Sequence, residues 1–194
     1  MYLKYIEIFS VCVSLGTIWL GIKQRPLSWL VSIFITLLNL SIYHEGALYD
    51  KWISGFMSIA FSIYGWYNWR HGGRNNSVLK TITKTSQSQF IYIVAAGIAF
   101  DYIVAQILLY CDSSLPYIGA ISTLLVIIGL WMSANKKLEA YIVWSLLNII
   151  SIYVHYQKSY LWFTLKYLVY LLSSSYGYME WRKLYLADRA NTRA

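Results

Sequence analysis

The chain has 194 residues, 58% hydrophobic and 12% charged, with a formal net charge of +8. A soluble domain carries about a quarter charged residues, so the composition excludes a water-covered globule, a disordered chain and a collagen rod. Two cysteines, Cys12 and Cys111, exclude a disulfide scaffold and a cysteine metal site. The basic residues sit between apolar runs and form no block, which argues against nucleic acid and for a polytopic protein in a lipid bilayer.

A hydrocarbon core of about 30 Å needs roughly 20 helical residues. Seven segments fit in chain order: Ile6–Ile22, Leu27–His44, Ala47–Trp69, Phe90–Cys111, Tyr117–Ala134, Leu138–Tyr156 and Tyr160–Trp181. Pro26 and Pro116 each precede a segment, where a missing N–H costs little. The connections are short except Arg70–Gln89, and no small-residue cleavage site marks the first segment as a signal peptide. Seven crossings put the termini on opposite sides. The side reached after segments one, three, five and seven holds Lys23, Arg25, Arg70, Arg74, Lys80, Lys84, Lys136, Lys137, Arg182, Lys183, Arg189 and Arg193, which is 12 of the 16 basic residues. Lys4, Lys51 and Lys158 lie on the other side. Positive charge marks the cytoplasmic side, so the N-terminus is expected outside and the C-terminus inside.

Shifted by 112 residues, Tyr5–Arg70 aligns with Tyr117–Arg182 without a gap. Ser62, Tyr64, Gly65, Trp69 and Arg70 fall on Ser174, Tyr176, Gly177, Trp181 and Arg182, Trp19 falls on Trp131 and Ser10 on Ser122. The expectation is one all-α membrane domain over residues 1–194: a three-helix repeat at 5–70, a linker helix at 90–111 and a second repeat at 117–182. This 3+1+3 plan places both repeats in the same orientation, with a substrate site at their interface, and points to a transporter rather than an enzyme.

Polar residues in a bilayer need a reason to be there. Ser32, Thr36, Asn39 and Tyr43 share one face of the second helix, and Trp144, Asn148, Ser151 and His155 occupy the same repeat positions in the sixth. The third helix carries Gly55, Ser58, Ser62, Trp66 and Trp69, and its partner Tyr167, Tyr170, Ser174, Tyr178 and Trp181. These faces make Trp66, Trp69, Trp144, Asn148, Thr36, Asn39, Ser62, Tyr167, Tyr170 and Ser174 the candidate substrate residues. Asp101 in the fourth helix reads as a relay or a packing carboxyl. Lys166 reads as snorkelling outward, His44 and His155 as packing residues, and Trp29, Trp52 and Trp162 as interfacial belt residues. No phosphate loop, metal spacing or nucleophile elbow occurs, so neither cofactor nor metal is expected.

The segments Ile63-Tyr-Gly-Trp-Tyr-Asn-Trp-Arg-His-Gly-Gly73 and Lys137-Leu-Glu-Ala-Tyr-Ile-Val-Trp-Ser-Leu-Leu-Asn-Ile-Ile-Ser151 resemble the nicotinamide riboside transporter family (PnuC-type), a likeness running from about Glu7 to Lys183. The resemblance implies a SWEET-like fold in the bacterial inner (plasma) membrane. It also implies facilitated uptake of a vitamin, with trapping through phosphorylation by a cytoplasmic vitamin kinase. Trp66, Trp69, Trp144 and Asn148 match family positions. Nicotinamide riboside is the first expected substrate. Gly55 and Ser62 lack side chains that would read a carboxamide, which keeps thiamine, and then riboflavin, as alternatives. A membrane subunit served by an energising partner, and a homo-oligomer, are also compatible with the sequence.

Overall fold

The computed structural model describes residues 2–45, 49–71, 81–113, 115–157 and 161–191, the side chains of 2–8, 10, 11 and 41–45 excepted. The expectations placed on the side chains of Lys4, Tyr5, Glu7, Ser10, Tyr43 and His44, and on Ala47, Arg74, Lys80, Lys158, Tyr160 and Arg193, fall outside what is described. Among the described residues the fold is all-α: α1 Tyr2–Ile22, α2 Leu27–Glu45, α3 Tyr49–His71, α4 Gln87–Tyr110, α5 Pro116–Ala134, α6 Ala140–Gln157 and α7 Leu161–Asn191. Each expected segment is a helix. One end is corrected: α7 continues past Trp181 to Asn191. The added turns contain Leu, Ala, Lys and Arg and no Gly or Pro, so nothing breaks the helix there.

α2 packs between α1 and α3, α6 packs between α5 and α7, and α3 runs along α5. α4 lies on the outside of α5, where Gly97 meets Leu124 and Gly119 meets Leu108. Its outer face presents Ile91, Tyr92, Ile98, Tyr102 and Ile103 to the surroundings, and α6 exposes Ile142, Leu146, Ile149 and Tyr153. Contiguous apolar surface of this extent suits lipid rather than water. Among the described residues, length and hydropathy alone qualify α4 and α5 as membrane-crossing helices, and Cys12–Ile22 and Leu27–Leu40 are shorter apolar stretches.

Two turns at one end of the bundle are built alike. After α1, Gln24 adopts φ 55°, and after α5, Lys136 adopts φ 50°. Gln24 N–H donates to Gly21 O at 2.9 Å and Arg25 N–H to Leu20 O at 2.9 Å; Lys136 N–H donates to Ser133 O at 3.0 Å and Lys137 N–H to Met132 O at 2.8 Å. Both are Schellman caps, which satisfy carbonyls left open at a helix end. The same closure follows α4, around Asp112 at φ 52°.

The α5–α6 turn is also strapped by the segment before α4. Thr83 N–H donates to Lys136 O and Leu138 N–H to Thr83 O, each at 3.0 Å, forming an isolated parallel bridge. Thr85 donates through both N–H and hydroxyl to Glu139 Oε2 at 3.0 Å. Ile82 joins Trp29, Trp69, Leu130, Ala134, Leu138 and Trp181 in the main buried cluster.

Trp29 is therefore corrected from belt residue to core residue: it is 5% exposed, against 38% for Trp52 and 56% for Trp162. It lies on Gly65, where an added Cβ would stand 2.6 Å from the indole, and Tyr141 lies closer still on Gly177. Gly65→Ala and Gly177→Ala should each destabilise the protein by about 1–3 kcal/mol through overpacking. Gly16→Ala, where a Cβ meets nothing within 4 Å, should not. Thermal unfolding of the three variants in detergent checks this; equal losses at all three sites would remove the close-contact explanation.

Candidate functional site

Two cavities meet inside the bundle. The inner chamber, about 250 Å³, lies toward the end that holds the α1–α2 and α5–α6 turns. Its aromatic wall is Trp29, Trp69, Tyr141, Trp144 and Trp181, and its polar wall includes Thr17, Ser28, Ser32, Asn148 and Ser174. The outer chamber, about 220 Å³, is lined by Thr36, Asn39, Lys51, Ser54, Ser58, Ser151 and Tyr167, among others. Trp144, Asn148 and Tyr170 belong to both walls and so stand between the chambers.

The aromatic wall is rigid. Trp29 meets Trp69 edge-on with centroids 5.3 Å apart, Tyr141 meets Trp181 edge-on at 5.1 Å, and Trp69 and Trp181 lie 6.3 Å apart. Trp69 Nε1 donates to Ser133 O at 3.2 Å and Trp181 Nε1 to Ile22 O at 3.1 Å, so α3 is tied to the end of α5 and α7 to the end of α1. Trp144 rests on Gly129 and its Nε1 donates to Ser133 Oγ at 3.0 Å. Asn148 Nδ2 donates to Ser174 Oγ at 3.2 Å, linking α6 to α7.

Positions 112 residues apart recur on the same walls. Ile18 and Leu130, Gly21 and Ser133, Trp29 and Tyr141, Ser32 and Trp144, and Trp69 and Trp181 all line the inner chamber. Thr36 and Asn148, Asn39 and Ser151, Gly55 and Tyr167, and Ser58 and Tyr170 all line the outer one.

Of the residues expected at the site, Trp69 and Ser174 line the inner chamber, Thr36, Asn39 and Tyr167 the outer, and Trp144, Asn148 and Tyr170 both. Trp66 and Ser62 line neither. Trp66 carries the Arg70 guanidinium 5.4 Å from its ring centroid, and Ser62 is buried at 1% exposure with no hydrogen-bond partner among the described residues. Asp101 sits on α4 away from both chambers. Lys166 does not snorkel: it is 7% exposed, its ammonium 4.4 Å from the Phe163 centroid and 4.8 Å from that of Tyr167. His155 packs against the same two rings and its Nδ1 lies 2.7 Å from Ser151 O. The sequence reading missed Lys51, the charged side chain on a chamber wall among the described residues, which pairs with Asp50 at 3.4 Å.

The family model of the nicotinamide mononucleotide transporters matches residues 4–183. The chain belongs to this family. It is a family of membrane transporters for vitamin uptake, not of enzymes. The crystal structure of the vitamin B3 transporter PnuC is similar to this fold with a TM-score of 0.79, covering 94% of this chain and 83% of that one at 18% identity. No curated protein sequence matches the chain.

Asn148 joins both chambers and bonds α7, so its loss should be felt at the site before the fold. Asn148→Leu should keep the bundle, because leucine suits a bilayer, and weaken ligand binding by roughly 1–3 kcal/mol. Titration of indole fluorescence in the purified variant reads this directly; unchanged affinity in a folded protein would make Asn148 a packing residue.

Proposed function

We propose that the joined chambers are the substrate path of a facilitator for a small aromatic vitamin, with nicotinamide riboside first and thiamine second. The observation that carries this is the sharing of Trp144, Asn148 and Tyr170 between an aromatic inner chamber and a polar outer one. An amphipathic solute with a flat ring and a hydroxylated tail matches that division. Electron-rich indole and phenol faces favour a positively charged ring. Thiamine stays in view because the space over Gly55 is filled by Leu40, 2.9 Å from where a Cβ would stand, and offers no hydrogen bond. Phosphorylated forms are disfavoured: Lys51 is engaged by Asp50, and the chamber walls carry no other charged side chain among the described residues. Passage is downhill, and intracellular phosphorylation by a vitamin kinase retains the product.

The paired positions on both walls support a SWEET-like 3+1+3 arrangement in one membrane domain, its repeats at 5–70 and 117–182 related by an axis through the chambers and its linker helix at 90–111. The charge asymmetry supports an N-terminus outside and a C-terminus in the cytoplasm of a bacterial plasma (inner) membrane.

Protein in liposomes without an energy source should accumulate nicotinamide riboside or thiamine to equilibrium and leave the phosphorylated forms outside. Equal entry of a phosphorylated form would sink the selectivity argument, and indifference to both vitamins would sink the substrate class. Uptake only with an added energising partner would favour the subunit reading. The topology has its own test. Cys111, just past the end of α4, should react with an impermeant thiol reagent in intact cells, whereas Cys12, on the outward surface of α1, should be shielded by lipid. Labelling of Cys111 only after the membrane is opened would reverse the orientation.

A further inference from the structure

We infer that the face of the inner chamber formed by Thr17, Ser28 and Ser32 chooses ligands by their hydrogen-bond donors: the favoured solute is an electron-poor ring that turns N–H or O–H groups to that face, and analogues carrying only acceptors in those places are discriminated against. This deepens the reading of the chambers as a substrate path and rests on it.

A hydroxyl has one proton and two lone pairs. In the inner chamber Thr17 donates its proton to Val13 O at 3.0 Å, Ser28 to Arg25 O at 2.8 Å and Ser32 to Ser28 O at 2.9 Å. Ser174 donates to Tyr170 O at 2.9 Å while accepting from Asn148. In the outer chamber Thr36 donates to Ser32 O at 2.8 Å, Ser54 to Lys51 O at 3.1 Å and Ser58 to Ser54 O at 2.7 Å. Each of these bonds runs back to the hydroxyl's own helix or, for Ser28, to the turn just before it. What these hydroxyls keep for a ligand is lone pairs, whereas Ser151 Oγ on the outer wall has no partner among the described residues.

The indole donors are engaged too. Trp69, Trp144 and Trp181 give their N–H groups to Ser133 O, Ser133 Oγ and Ile22 O. Trp29 Nε1, buried and without a partner among the described residues, the Tyr141 and Tyr170 hydroxyls and the second N–H of Asn148 are donors left on the inner wall, and Lys51, Asn39, Ser151 and Tyr167 carry donors on the outer one. The Thr17, Ser28 and Ser32 face, set among the indole rings, is therefore acceptor-rich and π-rich together. Both properties attract a ring that is short of electrons and carries amino, amide or hydroxyl hydrogens. A ligand acceptor set against Thr17, Ser28 or Ser32 must instead make that hydroxyl break its backbone bond, which at the usual net strength of a hydrogen bond is roughly a tenfold loss per contact.

The test uses two probes that share a pyridinium charge and differ in donors: 1-methylnicotinamide and the methyl ester of 1-methylnicotinate. Their binding to the purified protein is read by indole quenching, independently of transport. The amide should bind at least about tenfold more tightly than the ester. In Thr17→Val and Ser32→Ala the gap should narrow through weaker amide binding. Ser145→Ala should leave it intact, because Ser145 bonds back to Tyr141 O in the same way yet lines neither chamber. Equal binding of the two probes, a gap untouched by the wall variants, or binding of neither probe overturns the inference. A preserved gap in a protein that moves no vitamin leaves the donor rule standing and overturns the transport reading alone.

Discussion

Two indole N–H groups hold the geometry on which the chambers depend. Trp69 on α3 donates to a carbonyl in the last turn of α5, and Trp181 on α7 donates to the last carbonyl of α1. A helix end leaves carbonyls without intrahelical partners, and in a bilayer no water is there to satisfy them. Trp181 meets that need at Ile22 O, Trp69 shares Ser133 O with the Lys136 N–H of the cap, and each supplies a ring to the chamber wall. The position of the wall is thus coupled to the closure of the helices beneath it. The two glycines opposite Trp29 and Tyr141 do the complementary work, since only the absence of a side chain lets those rings lie flat between helices.

The chamber exists because the two sides are alike but unequal. Where one side has Trp144 seated on Gly129, the positions 112 residues earlier hold Ser32 and Thr17. A large residue over a small one faces two small polar ones, and the volume not filled is the inner chamber. The seams differ as well. Beside the Trp69 bond, the α3–α5 seam has Asn68 Nδ2 donating to Ala134 O at 2.7 Å and the Tyr64 hydroxyl to Asn135 Oδ1 at 3.2 Å. The α5–α6 turn next to it is clamped by Thr83 and Thr85. The α1–α7 seam has the Trp181 bond, a side-chain hydrogen bond between Ser14 and Tyr170, and a long, partly exposed contact of 4.0 Å between Lys23 and Glu180. An exposed pair of that kind contributes about 0–1 kcal/mol.

Much of this was legible in the sequence, and the failures have physical causes. Helix number and order follow from apolar length, and eight of the expected residues reach a chamber because a polar stripe at spacings of three and four stays on one face. Ser62 and Trp66 failed because α3 packs against both α2 and α5: a stripe that looks continuous in sequence is divided between a helix interface and the cavity. Trp29 was misread because a tryptophan near a helix end usually marks the membrane surface. The repeat could have corrected it, since its partner Tyr141 and the paired Gly65 and Gly177 stand at matching positions. Lys166 was misread because a long side chain near a helix end is free to reach outward, although Phe163 three residues before it and Tyr170 four after it already place rings beside it on α7. The extension of α7 carried no apolar signal, because a helix that has left the bilayer has no reason to be apolar.

Back-bonded hydroxyls also resolve a conflict that any polar path through a bilayer must face. A donor left without a partner in an apolar surrounding is costly, and Trp29 Nε1 and Ser151 Oγ are buried wall donors of that kind among the described residues. Yet a wall without polar atoms would not tell a vitamin from a lipid tail. Oxygen atoms whose single proton already serves the helix meet both demands, because an unused lone pair costs less than an orphaned donor. The same arrangement stiffens the wall: each hydroxyl fixes its own rotamer through the bond to the preceding turn, so the acceptors are in place before a ligand arrives. Asn148 adds the one amide shared by both chambers, itself held by Ser174, whose own proton goes to Tyr170 O. That chain of three residues crosses from α6 to α7 at the level where the chambers join.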